Sequence, residues 1–362
     1  MKSGLFILHL RGSTNGAKVV SKLISERYSS ENDIIDIATS YGPSNGKLSA
    51  QKVVESILFC LQVIYKSLVK KYTFIYYSIT PHGFAFYRDV ASLLIIKSLT
   101  AKKITLHFHV EIKNNFLVKA LKKINFFKEI FAICINQSQK ERLVLLTGIP
   151  AEHIRVIPNR ILPCKNIDFL SKHENISQKI RRHRKIILCI SNFLEGKGIE
   201  DTVSAYLEIR NNHPSSYLII AGNIVDEAYF KKIMKKIDLI DPNRERIKVF
   251  INLKGKAKEK ALKHASVLLF PSKLPETFGL VNLEALEAGL AIISYKTPSS
   301  HYFIDEKVNG YTADSVEGLA KHLEYILSQP SAFESMMRSS LEKSKKFDTE
   351  IFFKELESAL SL

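Results

Sequence analysis

The amino-acid sequence predicts an α/β protein built from two Rossmann-like domains. Three observations lead there. Short apolar, β-leaning runs alternate with helical periodicity along almost the whole chain. That periodicity lapses once, near the middle. And 362 residues are more than one hydrophobic core usually serves.

Residues 4–10 read as the first strand and 17–28 as the helix after it. Between them, Arg11-Gly12-Ser13-Thr14-Asn15-Gly16 is either a plain βα turn or a loop whose glycines let backbone approach a ligand. Further strands are expected at 33–38, 72–78, 103–109 and 130–135, and helices at 50–70, 84–99, 114–128 and 137–147. Strands separated by helices imply a parallel sheet covered on both faces. Residues 164–184 are polar, highly charged and aperiodic, as a linker would be. A second sheet opens at 185–190 and continues with 216–221, 247–251, 265–270 and 290–294. Helices are expected from the loop after 190 through Arg210, then at 226–238, 281–288, 316–327, 331–346 and 348–360. The domains expected are therefore 1–163, a linker at 164–184, a second domain at 185–346, and a closing helix within 347–362. The chain shows no repeat of 20–50 residues and no low-complexity tract.

Composition is that of a soluble globular protein. No apolar run approaches the ~20 residues needed to span a bilayer, and the N-terminal residues lead straight into a strand rather than a signal peptide. Cys60, Cys134, Cys164 and Cys189 lack the paired spacing of a zinc site and read as reduced core residues, so a cytoplasmic location is expected. The net charge of +17 is unevenly placed: 26 Lys and Arg face 12 Asp and Glu in residues 1–180, but 27 face 24 in 181–362. Such a first half favours anionic lipid, a pyrophosphate-bearing acceptor or nucleic acid. No nucleic-acid recognition module stands out. Residues 116–127, FLVKALKKINFF, read either as a basic amphipathic helix touching a membrane or as an ordinary sheet-covering helix.

The stretch richest in chemistry is 271–286, PSKLPETFGLVNLEAL. A strand precedes it and a helix ends it, so Glu276 falls in a strand-to-helix link and Glu284 inside the helix. Backbone N–H groups of Phe278, Gly279 and Leu280 are donors of a helix start, suited to a phosphate. Two carboxylates bracketing such donors could accept hydrogen bonds from sugar hydroxyls on either side of a diphosphate.

Glu276 and Glu284, set seven residues apart in PETFGLVNLEALEAG, resemble the Glu-x7-Glu signature of retaining glycosyltransferases of family four. That resemblance implies the GT-B fold, two Rossmann-like domains facing each other across a cleft, with the last helix crossing back onto the first domain. It implies that Glu284 accepts from the ribose, that Glu276 holds the transferred sugar, and that Lys197 in Glu195-Gly196-Lys197-Gly198 binds the donor diphosphate. Gly222 resembles the family's donor-pocket Ala-Gly, and Asn252-Leu253 falls where members contact the nucleobase. Gly16 lies in the loop that faces the donor phosphates, and His109 stands where a histidine lies close to the transferred sugar; a strand-end histidine satisfied by its neighbours is the local alternative. Pro158-Asn159 resembles the close of the first domain, with Arg160 replacing the usual glycine. Asn192 occupies a position where arginine is common, so one cationic clamp is absent or comes from elsewhere.

The activity implied is a retaining, metal-independent transfer of a hexose or related sugar from a nucleoside diphosphate donor to an acceptor hydroxyl. The commonest role among similar enzymes is surface polysaccharide assembly (O-antigen of lipopolysaccharide, capsule or exopolysaccharide) on a lipid-linked acceptor. With the basic first half, this places the protein in the cytoplasm or peripherally on the inner face of the cytoplasmic membrane. The rivals are a sugar epimerase or a phosphorylase on the same scaffold, and a non-catalytic binding protein. No acid–base histidine and carboxylate set supports the first, and no motif identifies a cofactor lysine for the second.

Overall fold

The computed structural model describes residues 3–11, 16–37, 50–99, 103–160, 185–274, 276, 278–297 and 299–360. The chain forms two units, Met1–Ile161 with Thr349–Leu362, and Leu162–Asp348. The expected linker at 164–184, Cys164 and the loop residues 12–15 lie outside the described residues.

The first unit holds β1 (Gly4–Leu8), α1 (Gly16–Tyr28), β2 (Asp33–Asp36), α2 (Ala50–Val69), β3 (Phe74–Ile79), α3 (Gly83–Leu99) and β4 (Lys103–Phe108). It continues with α4 (Phe116–Lys123), β5 (Phe131–Cys134), α5 (Gln137–Thr147) and β6 (Ile154–Val156). All six strands are parallel in the order β2-β1-β3-β4-β5-β6. The two-residue pleat sends Leu5, Ile7, Ile75, Tyr77, Leu106 and Phe108 to one face, against Phe59 and Val63 of α2 and Phe86, Leu93 and Ile96 of α3. Phe6, Leu8, Phe74 and Tyr76 point the other way, onto Val20, Leu23 and Ile24 of α1. Both faces are therefore buried, which is why these strands read as near-continuous apolar runs.

The second unit holds β7 (Lys185–Ile190), α6 (Ile199–Ile209), β8 (Ser216–Gly222), α7 (Glu227–Ile240), β9 (Ile247–Ile251) and α8 (Gly255–His264). Then come β10 (Val267–Phe270), α9 (Leu280–Glu287), β11 (Ala291–Tyr295), the short α10 (Ser300–Phe303), β12 (Gly310–Ala313), α11 (Val316–Ser328) and α12 (Pro330–Ser344). Its parallel sheet runs β12-β11-β10-β7-β8-β9. Ile187, Cys189, Leu218, Ile220, Leu269 and Ile293 meet Val203 and Tyr206 of α6, Ile233 of α7 and Leu323 of α11. The final helix, α13 (Thr349–Leu360), joins the first unit: Phe352, Phe353 and Leu356 enter the core beside α1, and Tyr28 Oη donates to Glu357 at 3.1 Å.

One expected element is corrected. The helix read over 114–128 stops at Lys123, because Asn125 takes a left-handed backbone (φ 53°) and the chain turns Phe126 and Phe127 into the core. Most apolar residues of the 116–127 stretch thus serve packing, with Phe116 and Ile124 left outside. Cys134 and Cys189 are buried free thiols and Cys60 is half-buried. No helix among the described residues is long and apolar enough to cross a membrane.

Candidate functional site

In each sheet the order of strands reverses direction once: between β1 and β3 in the first unit, and between β7 and β10 in the second. Loops leaving the carboxyl ends of strands part there, opening a crevice in which α/β proteins bind ligands. In the second unit those loops are 191–198 after β7 and 271–279 after β10, and they carry the candidate donor residues.

The two loops are locked together by backbone. The Lys273 N–H donates to the Gly196 carbonyl at 2.8 Å. Gly198 caps α6 at φ 74°, and a Cβ there would stand 1.9 Å from the Pro271 carbonyl oxygen. Only glycine tolerates both the left-handed backbone and that approach. The closure brings the Lys197 ammonium onto the Glu276 carboxylate, although 79 residues separate them. Ser272 Oγ donates to the same Glu276 oxygen at 3.0 Å. Both side chains of the pair are one-fifth exposed or less, so it is shielded from solvent yet reachable.

Beyond Glu276 the chain enters α9 through Gly279, at φ 73°, with no side-chain cap on the helix start. The Phe278 ring anchors this turn, 4.7 Å from Phe303. Glu284 lies in the second turn of α9 and is met by Lys258 of α8, whose Nζ is 2.6 Å from Glu284 Oε1. Across the β7 and β8 ends, Asn192 Oδ1 accepts from Asn223 Nδ2 at 3.0 Å, and the Asn252 N–H donates to the Gly222 carbonyl at 3.0 Å. Asn252 takes φ 59° as the chain leaves β9, and Leu253 follows it. Asn192, Lys197, Asn252, Leu253, Glu276, Phe278, Gly279 and Leu280 therefore belong to loops or a helix start at the carboxyl side of one sheet, with Gly222 at the end of β8 and Glu284 one turn into α9. At Asn192, where arginine is common, an amide pair with Asn223 occupies the place.

Sequence reasoning missed Lys258, Ser272 and Lys273. Lys258 sits in a lysine-rich run from Lys254 to Lys263 that gives no sign of which ammonium will find a carboxylate. Lys273 reaches Asp201 at 2.7 Å, and Tyr295 Oη donates to the same carboxylate at 2.7 Å. Next to them Ser272, Leu274, Lys296, Thr297 and Asp314 line a recess of about 420 Å³.

In the first unit Gly16 begins α1 and His109 follows β4, so both lie at the carboxyl side of the first sheet. His109 is almost completely buried, with Nδ1 3.3 Å from Asn159 Oδ1 and its ring 4.0 Å from that of His107. His107 bonds in turn to the Tyr76 hydroxyl. Burial, helped by the nearby His9, pushes the His109 pKa down to about 3, and burial holds those of His107 and His9 low as well. His109 is thus a neutral imidazole at physiological pH. Arg160, where a glycine was expected, folds back to donate to the Pro158 and Asn159 carbonyls at 3.0 and 3.1 Å. It fixes the Asn159 turn that holds His109. Among the described residues no group of three His, Cys, Asp or Glu side chains is placed to hold a metal ion.

Two doubly wound parallel sheets, one with a lysine–carboxylate pair at its strand-order reversal, define the nucleotide-binding class of α/β proteins. Residues 171–346 match the family glycosyl transferases group 1. Curated relatives include an uncharacterized glycosyltransferase of Methanocaldococcus jannaschii, 26% identical over 197 residues, 53% of this chain and 49% of that one. Another is the alpha-monoglucosyldiacylglycerol synthase of Acholeplasma laidlawii, 26% identical over 183 residues, 49% of this chain and 44% of that one. The chain spans about half the length of these relatives. Among solved structures, Anabaena HepE in complex with UDP and glucose superposes with a TM-score of 0.75 at 16% identity, covering all of both chains. WaaG, a glycosyltransferase involved in lipopolysaccharide biosynthesis, does so at 0.65 with 13% identity over 98% of each. At such identities the likeness establishes the fold, which is GT-B.

Proposed function

We propose that the protein is a retaining glycosyltransferase that moves a sugar from a nucleoside diphosphate donor to an acceptor hydroxyl. The observation that carries this reading is the Lys197–Glu276 pair beside the uncapped start of α9. A diphosphate at the N–H groups of Phe278, Gly279 and Leu280 would draw the Lys197 ammonium to itself, since phosphate offers more negative charge and more acceptor oxygens than a carboxylate. Glu276, released from the lysine, then accepts hydrogen bonds from hydroxyls of the sugar. Glu284, oriented by Lys258, takes the ribose hydroxyls. Asn192, Gly222, Asn252 and Leu253 line the donor's remaining surface, while Gly16 serves the donor phosphates and His109 a sugar hydroxyl or the acceptor.

As the glycosidic bond breaks, negative charge grows on the departing diphosphate, where fixed N–H groups and Lys197 already point. Such preorganised donors are where most of the acceleration arises. The acceptor attacks from the face the diphosphate leaves, and the diphosphate takes its proton. No metal is needed in this scheme. A UDP donor is supported by the ligand in the HepE complex, and a lipid-linked saccharide acceptor on the cytoplasmic side by the basic first half and by the names of the diacylglycerol and lipopolysaccharide enzymes.

Screening UDP- and GDP-sugars by thermal shift is the first test. The true donor raises the melting temperature as its concentration passes the dissociation constant, and releases nucleoside diphosphate once acceptor is added, with EDTA present or absent. If every activated sugar leaves the melting temperature unchanged, the reading fails.

A further inference from the structure

We propose that the recess at the carboxyl ends of β10, β11 and β12 is a saccharide subsite of the second unit, separate from the donor residues, that takes one uncharged pyranose. That this pyranose belongs to the acceptor rests on the transferase reading; that the recess binds a sugar does not.

Strand ends build the recess. Tyr295 and Ala313 are paired residues of β11 and β12, and the Lys296 N–H donates to the Ala313 carbonyl at 3.3 Å. Lys296 and Asp314 therefore leave the sheet side by side, and both line the recess. Tyr295 and Ala313 are buried and make its floor, with Leu274 beside them; Lys296 and Asp314 are exposed and make its rim. The floor is held in place from below. Tyr295 Oη donates to Asp201, and Lys273 pairs with the same carboxylate while its ammonium stands 5.6 Å from the centre of the Tyr295 ring.

This lining selects the ligand. Lys273 is committed to Asp201, which leaves Lys296 and Asp314, neither with an ion-pair partner among the described residues. One ammonium and one carboxylate sum to no net charge, so a phosphate gains little here. A pyranose fits both: adjacent hydroxyls accept from the ammonium and donate to the carboxylate, while the C–H face of the ring rests on Leu274, Tyr295 and Ala313. The volume of about 420 Å³ falls in the range of small-molecule sites. Position points the same way. Ser272 also lines the recess, and its Oγ donates to Glu276, the residue read as holding the transferred sugar. A pyranose in the recess would lie one side chain away from that sugar. Yet none of the residues described as lining the recess is Lys197, Glu284 or an N–H donor of the α9 start.

The test is saturation-transfer NMR of the full chain, without nucleotide, against methyl glycosides of glucose, galactose, mannose and N-acetylglucosamine, with glucuronate as the charged control. At least one glycoside is expected to bind the wild type, and more tightly than glucuronate. The double variant Lys296→Met/Asp314→Ala should bind it at least about 10-fold less, the loss expected when charge-assisted hydrogen bonds are removed. Its melting temperature should match that of the wild type, because both side chains are exposed and without ion-pair partners. Glu276→Gln should bind the glycoside as the wild type does. In a transfer assay the double variant should raise the KM for acceptor and leave that for donor alone. Failure of every glycoside to bind overturns the proposal, as does a preference for glucuronate. So does binding that the double variant retains or that Glu276→Gln loses, since the sugar then sits at the donor residues. A raised donor KM with an unchanged acceptor KM also overturns it. Glycoside binding needs no donor, so its failure and that of the transferase reading are separate results.

Discussion

Replacing Glu276 by glutamine probes the site most sharply, because it removes one charge and almost no volume. The Lys197–Glu276 pair is one-fifth exposed or less and ties two loops across the strand-order reversal. Surface ion pairs contribute about 0–1 kcal/mol, whereas stranding one partner of a fully buried pair costs about 3–5 kcal/mol. Glutamine can still accept from Ser272, so a loss of about 1–2 kcal/mol is expected. In a unit of this size that lowers the melting temperature by roughly 2–8 °C. The functional effects should diverge. Turnover should fall by about 10²–10³, the usual cost of losing a group that acts on the transition state. Affinity for the nucleoside diphosphate should hold or improve, since Lys197 no longer has a carboxylate to leave. Calorimetric titration with the diphosphate, alongside product release from the donor, measures both quantities. Turnover within a few-fold of wild type, or a loss of diphosphate affinity as large as that of Lys197→Met, would refute the competition between carboxylate and phosphate.

Gly198→Ala should destabilise the second unit by more than about 2 kcal/mol, because the added methyl meets the Pro271 carbonyl in a strained backbone; an unchanged urea midpoint would show that the loops are not locked there. Lys258→Ala and Glu284→Ala should each weaken nucleoside binding about 10-fold, and the double variant should lose less than the product of the two, as a double-mutant cycle would register. Stability of the first unit should fall on acidification below pH ~6.5. Unfolded histidines protonate there, whereas buried His109, with its pKa near 3, does not, and burial lowers the pKa of His107 and His9 in the same direction. Between those values the unfolded chain binds more protons, so His109 contributes a slope of up to ~1.4 kcal/mol per pH unit, and His107 and His9 act in the same direction. His109→Gln should flatten the dependence of the urea midpoint on pH between 7 and 5; an equally steep profile would place the titration elsewhere.

Much of the architecture was legible in the order of residues, because hydrophobic periodicity is local. The bounds read for 137–147, 185–190 and 247–251 coincide with α5, β7 and β9. Four elements were not read: β6, β12, α8 and the short α10. Strands of three and four residues are too short to show a period, and α8 buries only Leu262, so its lysines give almost no apolar face to detect. Similarly, the helix expected to run on to residue 128 broke off because Phe126 and Phe127 were needed in the core, a demand made by neighbours distant in sequence.

By itself, the sequence determined the alternation of strands and helices, the two acids of PETFGLVNLEALEAG and the lysine of EGKG, since each rests on residue type and short spacing. Tertiary structure alone decided which charges face one another: Lys197 with Glu276 across 79 residues, Lys258 with Glu284 from a helix that gave no signal, and Arg160 with the turn holding His109. Within each unit, sheet order brings such loops to one edge, and strand pairing between distant segments is a property that no local window contains.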